Sequence, residues 1–301
     1  MVDNDWQLQT YLQERVRLVD STLDRFLPGV DSLPTRLHAA MRYSVFAGGK
    51  RIRPILMLAA CEAVGGEMKN VLPAACAIEM VHSYSLIHDD LPAMDDDDFR
   101  RGNPTNHKVY GEATAILAGD GLLTEAFILL SNKNIWGDIP AEQYLKVINI
   151  IAKRSGSCGM VGGQVVDMEA EKNPVDLTTL EYIHTHKTGA LILAAIEVGA
   201  LLGGASAEQS RALHSYGEAA GLAFQVADDI LDIVADPSLL GKDVGSDQQR
   251  GKATYPALLG LDGARQRANE LREMALSALD MFDDSARPLR EIATYVVDRS
   301  C

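Results

Sequence analysis

Residues 71–91 read VLPAACAIEMVHSYSLIHDDL and set the pattern for most of the chain. Apolar side chains recur there at three- and four-residue spacing up to a pair of aspartates, which is typical of a largely buried helix. Strict alternation of apolar and polar residues is nearly absent, so the sequence predicts an all-α fold without a sheet. The same helical spacing occurs in residues 8–26, 52–64, 113–130 and 144–151.

The organisation of the chain points to a single domain over residues 1–301, since no linker, repeat or low-complexity tract divides it. Helices are expected to begin at two capping boxes, Thr178 with Glu181 and Ser206 with Gln209. Residues 191–202 and 221–234 are apolar nearly all round, so we expect them inside a helical bundle. Helix breaks are predicted at Gly48-Gly49, Gly65-Gly66, Gly102-Asn103-Pro104, Asn173-Pro174, Gly203-Gly204 and Asp236-Pro237.

Composition excludes several classes of protein. The chain has 301 residues, of which 47% are hydrophobic and 23% charged, an ordinary globular mixture. Its formal net charge of −14 makes a nucleic-acid partner a poor expectation. Four cysteines without metal-finger or disulfide spacing predict reduced thiols in the cytoplasm, with Cys61 and Cys76 in the core. The start of the chain is acidic, unlike a signal peptide, and Glu197 interrupts the most apolar stretch, so we expect no membrane insertion.

The acidic residues form two clusters. Residues 89–98 hold six aspartates, and the second cluster is Asp228, Asp229 and Asp232. Asp228 and Asp232 share one helical face, where like charges repel each other unless a cation compensates them. Carboxylate oxygens together with phosphate oxygens are the ligands that Mg²⁺ prefers. The spacing after Asp95 does not fit a calcium-binding EF-hand loop.

Basic residues near glycines supply candidate phosphate partners. Residues 48–54 read GGKRIRP, and Arg100 and Arg101 directly follow the first aspartate cluster. Lys187, Lys242 and Lys252 lie in or near expected helix breaks. Arginine forks fit phosphate oxygens, but none of these segments is a nucleotide-binding P-loop. Two acidic clusters, several cationic segments and apolar helices together favour a cavity that binds a diphosphate attached to a hydrocarbon chain.

At these residues the chain resembles the trans-polyprenyl diphosphate synthases, and closely their bacterial farnesyl-forming members. Ordered matches run from about Tyr43 to Pro256 and include DDLPAMD at 89–95 and DDILD at 228–232. Further matches are Gly49 to Pro54, Arg100-Arg101-Gly102, Gly163-Gln164, Lys187-Thr188-Gly189, Phe224-Gln225, Gly241-Lys242-Asp243 and Lys252 to Pro256.

The resemblance implies an all-α isoprenoid-synthase bundle around a central apolar cavity, usually homodimeric, with the aspartate motifs facing each other. Three Mg²⁺ ions per active site would hold the diphosphate of dimethylallyl or geranyl diphosphate, assisted by Arg100, Lys187 and Lys242. Isopentenyl diphosphate would bind without metal. The implied metal ligands are Asp89, Asp90, Asp95, Asp228, Asp229 and Asp232, and the implied isopentenyl diphosphate ligands are Gly49, Lys50, Arg53, His82 and Arg101. Lys252 is a further implied substrate-binding residue.

The implied reaction is a head-to-tail condensation through an allylic carbocation. Thr188 and Gln225 are the candidates for stabilising that cation, and the released diphosphate would take up the proton. Residues 236–251 are rich in glycine and are expected to form a lid. Basic residues at the chain end often help in the resembled family, whereas this sequence offers only Arg299.

Tyr84 and Ser85 are expected to set the length of the product. Tyr84 precedes Asp89 by five residues, roughly 7 Å along a helix, where a ring would close the bottom of the cavity. In the resembled family an aromatic residue at this position, together with the two-residue insertion in the first aspartate motif, accompanies a fifteen-carbon product, so farnesyl diphosphate is expected. The alternative role for Tyr84 is a core side chain. The alternative functions are a geranylgeranyl diphosphate synthase, a terpene cyclase, and a non-catalytic subunit of a heteromeric synthase. His82 and His88, each taken alone, are better explained by helix packing than by a ligand role.

Overall fold

The computed structural model describes residues 6–171, 173, 175–234 and 253–298, and these are almost entirely helical. The all-α prediction is confirmed. Short 3₁₀ turns at Met68–Asn70, Lys133–Ile135 and Asp284–Ala286 connect some of the helices. The helices are α1 (Leu8–Phe26), α2 (Thr35–Val45), α3 (Ile52–Ala63), α4 (Leu72–Asp89), α5 (Asn106–Tyr110), α6 (Glu112–Ser131), α7 (Ala141–Ser155), α8 (Met160–Ala170), α9 (Leu177–Ile183), α10 (Ala190–Gly203), α11 (Ala207–Val234), α12 (Tyr255–Ser277) and α13 (Arg287–Asp298).

One small β-ribbon departs from the prediction of a fold without a sheet. Strands β1 (Phe99–Arg100) and β2 (Asn103–Pro104) pair antiparallel. Arg101 and Gly102 form the turn between them with φ angles of 54° and 79°. Two-residue strands are too short to show an alternating pattern, so periodicity could not predict them.

Of the two capping boxes predicted to begin helices, one is confirmed and one is wrong. The capping box before α11 is confirmed, because the Gln209 N–H donates to Ser206 Oγ and the Ser206 N–H donates to Gln209 Oε1. The box predicted at Thr178 is wrong. Asp176 caps α9 instead, its carboxylate accepting from the Thr179 N–H at 2.8 Å. Aspartate is among the strongest N-cap residues, so it outcompetes a threonine two positions later.

A π-helical turn, His184–Gly189, joins α9 to α10 where a break was expected near Lys187. The chain therefore stays helical from Leu177 to Gly203. π-Helical turns are rare and often occur at functional sites. This turn carries Lys187 and Thr188, both predicted to act on the substrate.

The chain separates into two compact units. The first comprises residues 1–55 and 69–148, and in it α4 packs against α1, α2 and α6. Almost every side of α4 is buried, as residues 71–91 predicted. Pro92 follows closely on the end of α4, where it helps to stop the helix. The prediction of one domain over 1–301 stays a prediction.

The second unit comprises residues 56–68 and 149–301, and its centre is α11. Helix α11 packs against α10, α12, α13 and the π-turn. Within this unit, Gly66 lies so close to Gly203 that a Cβ on either residue would overlap its surroundings. The pairs Gly65-Gly66 and Gly203-Gly204, which predicted helix breaks, thus allow two segments of the chain to pass close together. Its apolar core includes Leu180, Leu222, Val226, Ile230, Tyr255, Leu271 and Val297.

Two described helical segments are long and apolar enough to span a membrane, Glu112–Ser131 and Leu177–Gly203. The second is 67% buried within the protein, as expected of a core helix. Glu197, which interrupts the most apolar part of this segment, binds Arg154 through two hydrogen bonds of 2.8 and 3.2 Å and also contacts His214. Cys61 and Cys76 are fully buried, which confirms their predicted place in the core.

Candidate active site

The first aspartate motif begins where α4 ends, in the first unit. Asp90 is only 3% exposed and contacts Arg100, whose Nε and Nη2 lie 2.6 and 2.5 Å from one carboxylate oxygen. Burial raises the pKa of Asp90, and the guanidinium of Arg100 opposes that rise without cancelling it. Asp89 and Asp95 are half-buried, and the Asp95 N–H donates to the Asp89 carbonyl at 2.8 Å. The turn therefore brings the backbones of the two outer aspartates together.

The β-ribbon aims two neighbouring arginines at different partners. Arg100 on β1 pairs with Asp90, whereas Arg101 in the turn donates from Nη1 to the Gly48 carbonyl. A Cβ at Gly49 would lie 2.7 Å from Arg101 Cζ, so only glycine fits there. Gly49 and Arg101, predicted to act together, are thus in contact.

The predicted isopentenyl diphosphate residues lie in the first unit. Desolvation and the charges of Arg53 and Arg101 hold the pKa of His82 well below its usual range. His82 is therefore neutral at pH 7 and able to share a cationic site without adding charge. Lys50 is exposed and has no hydrogen-bond or ion-pair partner within the described part of the chain.

The second aspartate motif lies on α11, in the second unit. Asp229 is 6% exposed, and its Oδ2 accepts from His184 Nε2 at 3.0 Å and from the Tyr255 N–H at 2.9 Å. Asp228 and Asp232 are half-buried and share the other face, as their spacing predicted. Asp229 was predicted as a metal ligand, but the structure gives one of its oxygens two protein donors.

Lys187 in the π-turn has a carboxylate partner that the sequence reasoning missed. Its Nζ lies 2.6 Å from Asp167 Oδ2 on α8. Gly163 on α8 permits this approach, because a Cβ there would overlap the backbone of Lys187. The signal was present as Asp167 three residues after Gln164 on one helix, a spacing that places both on the same face. Thr188 and Gln225 are half-buried in the same unit.

The residues predicted to set product length lie on α4. Tyr84 is 8% exposed, burial raises the pKa of its phenol, and its ring meets the edge of His88 at 5.8 Å. The packing role expected for His88 is confirmed, since its Nε2 lies 3.0 Å from the Ile116 carbonyl on α6. Ser85 Oγ donates to the His82 carbonyl.

The donor set fits magnesium in kind. Within residues 6–171, 173, 175–234 and 253–298, no three carboxylate, imidazole or thiol groups converge closely enough to hold an ion alone. Mg²⁺ usually keeps several waters and takes one or two carboxylates plus phosphate oxygens, so paired aspartates suit it. Lys242, Lys252, Arg299 and the expected lid at 236–251 fall outside the described residues.

Known proteins resemble this chain along nearly its whole length. The family described as Polyprenyl synthetase matches residues 34–286. A farnesyl diphosphate synthase of Geobacillus stearothermophilus is 52% identical over 97% of this chain and 98% of its own. A geranylgeranyl diphosphate synthase of Cyanophora paradoxa is 47% identical over 99% of each chain. A crystal structure of an FPP/GFPP synthase from Zymomonas mobilis superposes with a TM-score of 0.86 at 40% identity, covering 96% of this chain and 98% of that one.

These matches agree with the fold and with the order of the motifs. The helical architecture and the prenyltransferase chemistry expected from the aspartate and basic segments are confirmed at the level of the family. The relatives carry names for products of different length, so the family fixes the class of reaction and leaves the product open. The chain belongs to the polyprenyl synthetase family and is a trans-prenyltransferase by descent.

Proposed function

We propose that this protein is a farnesyl diphosphate synthase. It condenses isopentenyl diphosphate head to tail with dimethylallyl diphosphate and then with geranyl diphosphate, giving all-trans farnesyl diphosphate. The observation that carries the product length is Tyr84, an almost buried aromatic ring on α4 about 7 Å before the first aspartate motif. A ring of that size limits how far a growing chain can extend along the helix.

The aspartates are the proposed magnesium ligands. Asp89 and Asp95 in the first motif and Asp228 and Asp232 in the second are half-buried. Asp90 and Asp229 are buried, Asp90 against Arg100 and Asp229 against His184. Mg²⁺ supplies Lewis-acid stabilisation of the leaving diphosphate when bound. Arg100 and Lys187 are proposed to supply fixed positive charge for a diphosphate, and so is Lys242 by resemblance. The protein uses this charge to make diphosphate a usable leaving group.

The second substrate would bind through cations alone. Lys50, Arg53 and Arg101 supply positive charge for the diphosphate of isopentenyl diphosphate, and neutral His82 offers a hydrogen bond beside them. Thr188 and Gln225 present side-chain oxygens to the developing allylic cation, and the dry surroundings keep water from trapping it. No protein base is assigned, because the released diphosphate accepts the proton.

We also propose a cytoplasmic homodimer. Helix α6 exposes Leu117 (58%) and Ile128 (53%), which lie eleven residues apart and therefore on one helical face. Ile116 is 44% exposed beside them. A second copy of the chain would cover these exposed apolar side chains.

Product analysis tests the proposal. Purified protein is incubated with Mg²⁺, isopentenyl diphosphate and dimethylallyl diphosphate, and the dephosphorylated alcohols are separated by chain length. We expect mainly farnesol, and no turnover in excess chelator. If the main alcohol is geranylgeraniol, the proposed reaction stands but the proposed product is wrong. The name of the Cyanophora paradoxa relative would favour that outcome. No condensation by folded protein would favour a non-catalytic subunit.

The role of Tyr84 has its own test. Tyr84→Ala removes the ring, and we expect the main product to lengthen beyond fifteen carbons. Tyr84→Phe is the matched control, because it keeps the ring and should keep the wild-type product. Unchanged product length in Tyr84→Ala would refute the assignment of Tyr84 as the floor of the cavity.

A further inference from the structure

Two neighbouring cations end the loop before α3, and they differ in their surroundings. Lys50 is exposed, whereas its neighbour Arg51 is 3% exposed. The guanidinium of Arg51 donates to Asp20 Oδ1 at 2.8 Å, to Glu79 Oε1 at 2.9 Å and to the Val45 carbonyl at 2.5 Å. Each of the three guanidinium nitrogens of Arg51 thus donates to a protein partner.

Those partners come from three separate helices. Asp20 lies on α1, Val45 is the last residue of α2, and Glu79 is a 2% exposed residue of α4. A guanidinium holds its donors in a rigid fork, so contacts in three directions fix both its position and its orientation. The Arg51 carbonyl also accepts from the Ile55 N–H at 3.0 Å and so opens α3. Arg51 therefore fixes the point where the loop meets the helix.

The backbone of the loop shows what this fixation achieves. Arg51 has a φ angle of 49°, after 91° at Gly48 and 128° at Gly49. A residue with a side chain adopts the left-handed region at a cost, and it persists when the surroundings over-determine it. The result is that Arg51 is buried while Lys50, one residue earlier, is exposed to solvent. The loop also contacts Arg101 through Gly48 and Gly49.

We infer that Arg51 is a positioning residue for the isopentenyl diphosphate site, which it maintains by tying the loop to α1, α2 and α4. It acts through its neighbours, because the loop that it fixes carries Lys50 and supports Arg101. The inference rests on the proposed function for the identity of the ligand. A change at Arg51 should therefore weaken binding of isopentenyl diphosphate and spare the allylic substrate.

Equilibrium binding of isopentenyl diphosphate to the whole protein, measured by calorimetry in excess chelator, tests this separately from the metal-dependent site. Arg51→Lys keeps the charge but cannot reach three helices at once, and we expect about a tenfold higher Kd. The KM for geranyl diphosphate in the full reaction should change less than about twofold, since Arg100, its proposed cation in the same unit, is held by Asp90. Asp20→Asn, which alters only the half-exposed partner, should shift the Kd in the same direction by less.

Two further variants make the result decisive. Arg154→Lys is the matched control, because Arg154 forms a forked ion pair with Glu197 in the other unit, so it should lower thermal stability and leave the Kd unchanged. Lys50→Met changes a proposed ligand and should weaken binding without loss of stability. If Lys50→Met weakens binding but Arg51→Lys and Asp20→Asn do not, Arg51 is only structural. An equal effect of Arg154→Lys would overturn the inference too.

Failure of the ligand assignment looks different. If wild type does not bind isopentenyl diphosphate in chelator, or if Lys50→Met binds it normally, the proposed site itself is wrong. If Arg51→Lys does not fold, Glu79→Gln and Asp20→Asn decide, since each keeps a hydrogen-bond acceptor for the arginine. Unchanged Kd in both would overturn the positioning role.

Discussion

The two aspartate motifs organise the charges around them differently. In the first unit, buried Asp90 holds Arg100, a cation proposed to bind the allylic diphosphate. In the second unit, buried Asp229 holds His184 and the Tyr255 N–H, and the corresponding cation Lys187 is held by Asp167 on another helix. In the first unit, Asp90 is both the buried member of the aspartate motif and the partner of the cation. In the second unit these two roles are divided between Asp229 and Asp167. Substitutions of these buried carboxylates should therefore separate function from stability in the second unit but not at Asp90 in the first.

The largest expected effect concerns the second motif. Asp228→Asn removes a proposed magnesium ligand and should lower kcat/KM by about 10³-fold. Asp229→Asn should cost about tenfold or less, because an amide oxygen still accepts from His184 and from the Tyr255 N–H. Steady-state kinetics over a range of Mg²⁺ concentrations measure both. An equal loss in the two variants, with a raised Mg²⁺ requirement in each, would make Asp229 a metal ligand.

A smaller effect is expected at Asp90, where the two tasks coincide. Asp90→Asn removes the closer of two carboxylate partners of Arg100 and leaves Asp97, whose Oδ2 lies 3.6 Å from Nη2. We expect kcat/KM for geranyl diphosphate to fall by about 10²-fold, with a lower melting temperature as well. Activity and thermal unfolding of the same preparation check this. A loss of stability with normal kinetics would show that Arg100 does not need Asp90.

A substitution of Asp167 in the second unit should affect function separately from stability. Asp167→Asn frees Lys187 from its ion pair, and we expect the KM for geranyl diphosphate to rise about threefold to tenfold, while kcat stays within about twofold. Glu142→Gln is the control, since it breaks an exposed pair with Lys146 and should change nothing measurable. An unchanged KM in Asp167→Asn would mean that Asp167 does not position Lys187 for the substrate.

The sequence predicted the helices well because helical periodicity is a local property. Helix α1 has the predicted bounds, α3 ends one residue early, and α4 and α6 differ from the predicted runs by one or two residues at each end. The aspartate and basic motifs were recognisable because few other purposes collect such charges beside apolar helices. The parts predicted correctly therefore depend on neighbours within a few positions along the chain.

The parts that failed depend on contacts between distant segments. The π-turn around Lys187 replaces an expected break because Gly163 on α8 packs against its backbone. Nothing in the order Lys50-Arg51 shows that one cation is exposed and the other buried; that follows from Asp20 and Glu79 on other helices. Asp167 was missed for the same reason, since its partner lies twenty residues further along the chain.

The smallest effect is expected for the Tyr255 side chain, whose hydroxyl binds Glu181 while its backbone N–H binds Asp229. The Tyr255 hydroxyl donates to Glu181 Oε1 at 3.0 Å, and Arg267 binds the same oxygen. Tyr255→Phe removes one of these hydrogen bonds and keeps the backbone N–H that binds Asp229, so we expect a loss of about 1 kcal/mol of unfolding free energy. Thermal and denaturant unfolding measure the stability, and kcat and both KM values should match wild type. A kinetic defect as large as that of Asp167→Asn would show that the second unit does not separate stability from function, and the contrast with Asp90 would fail.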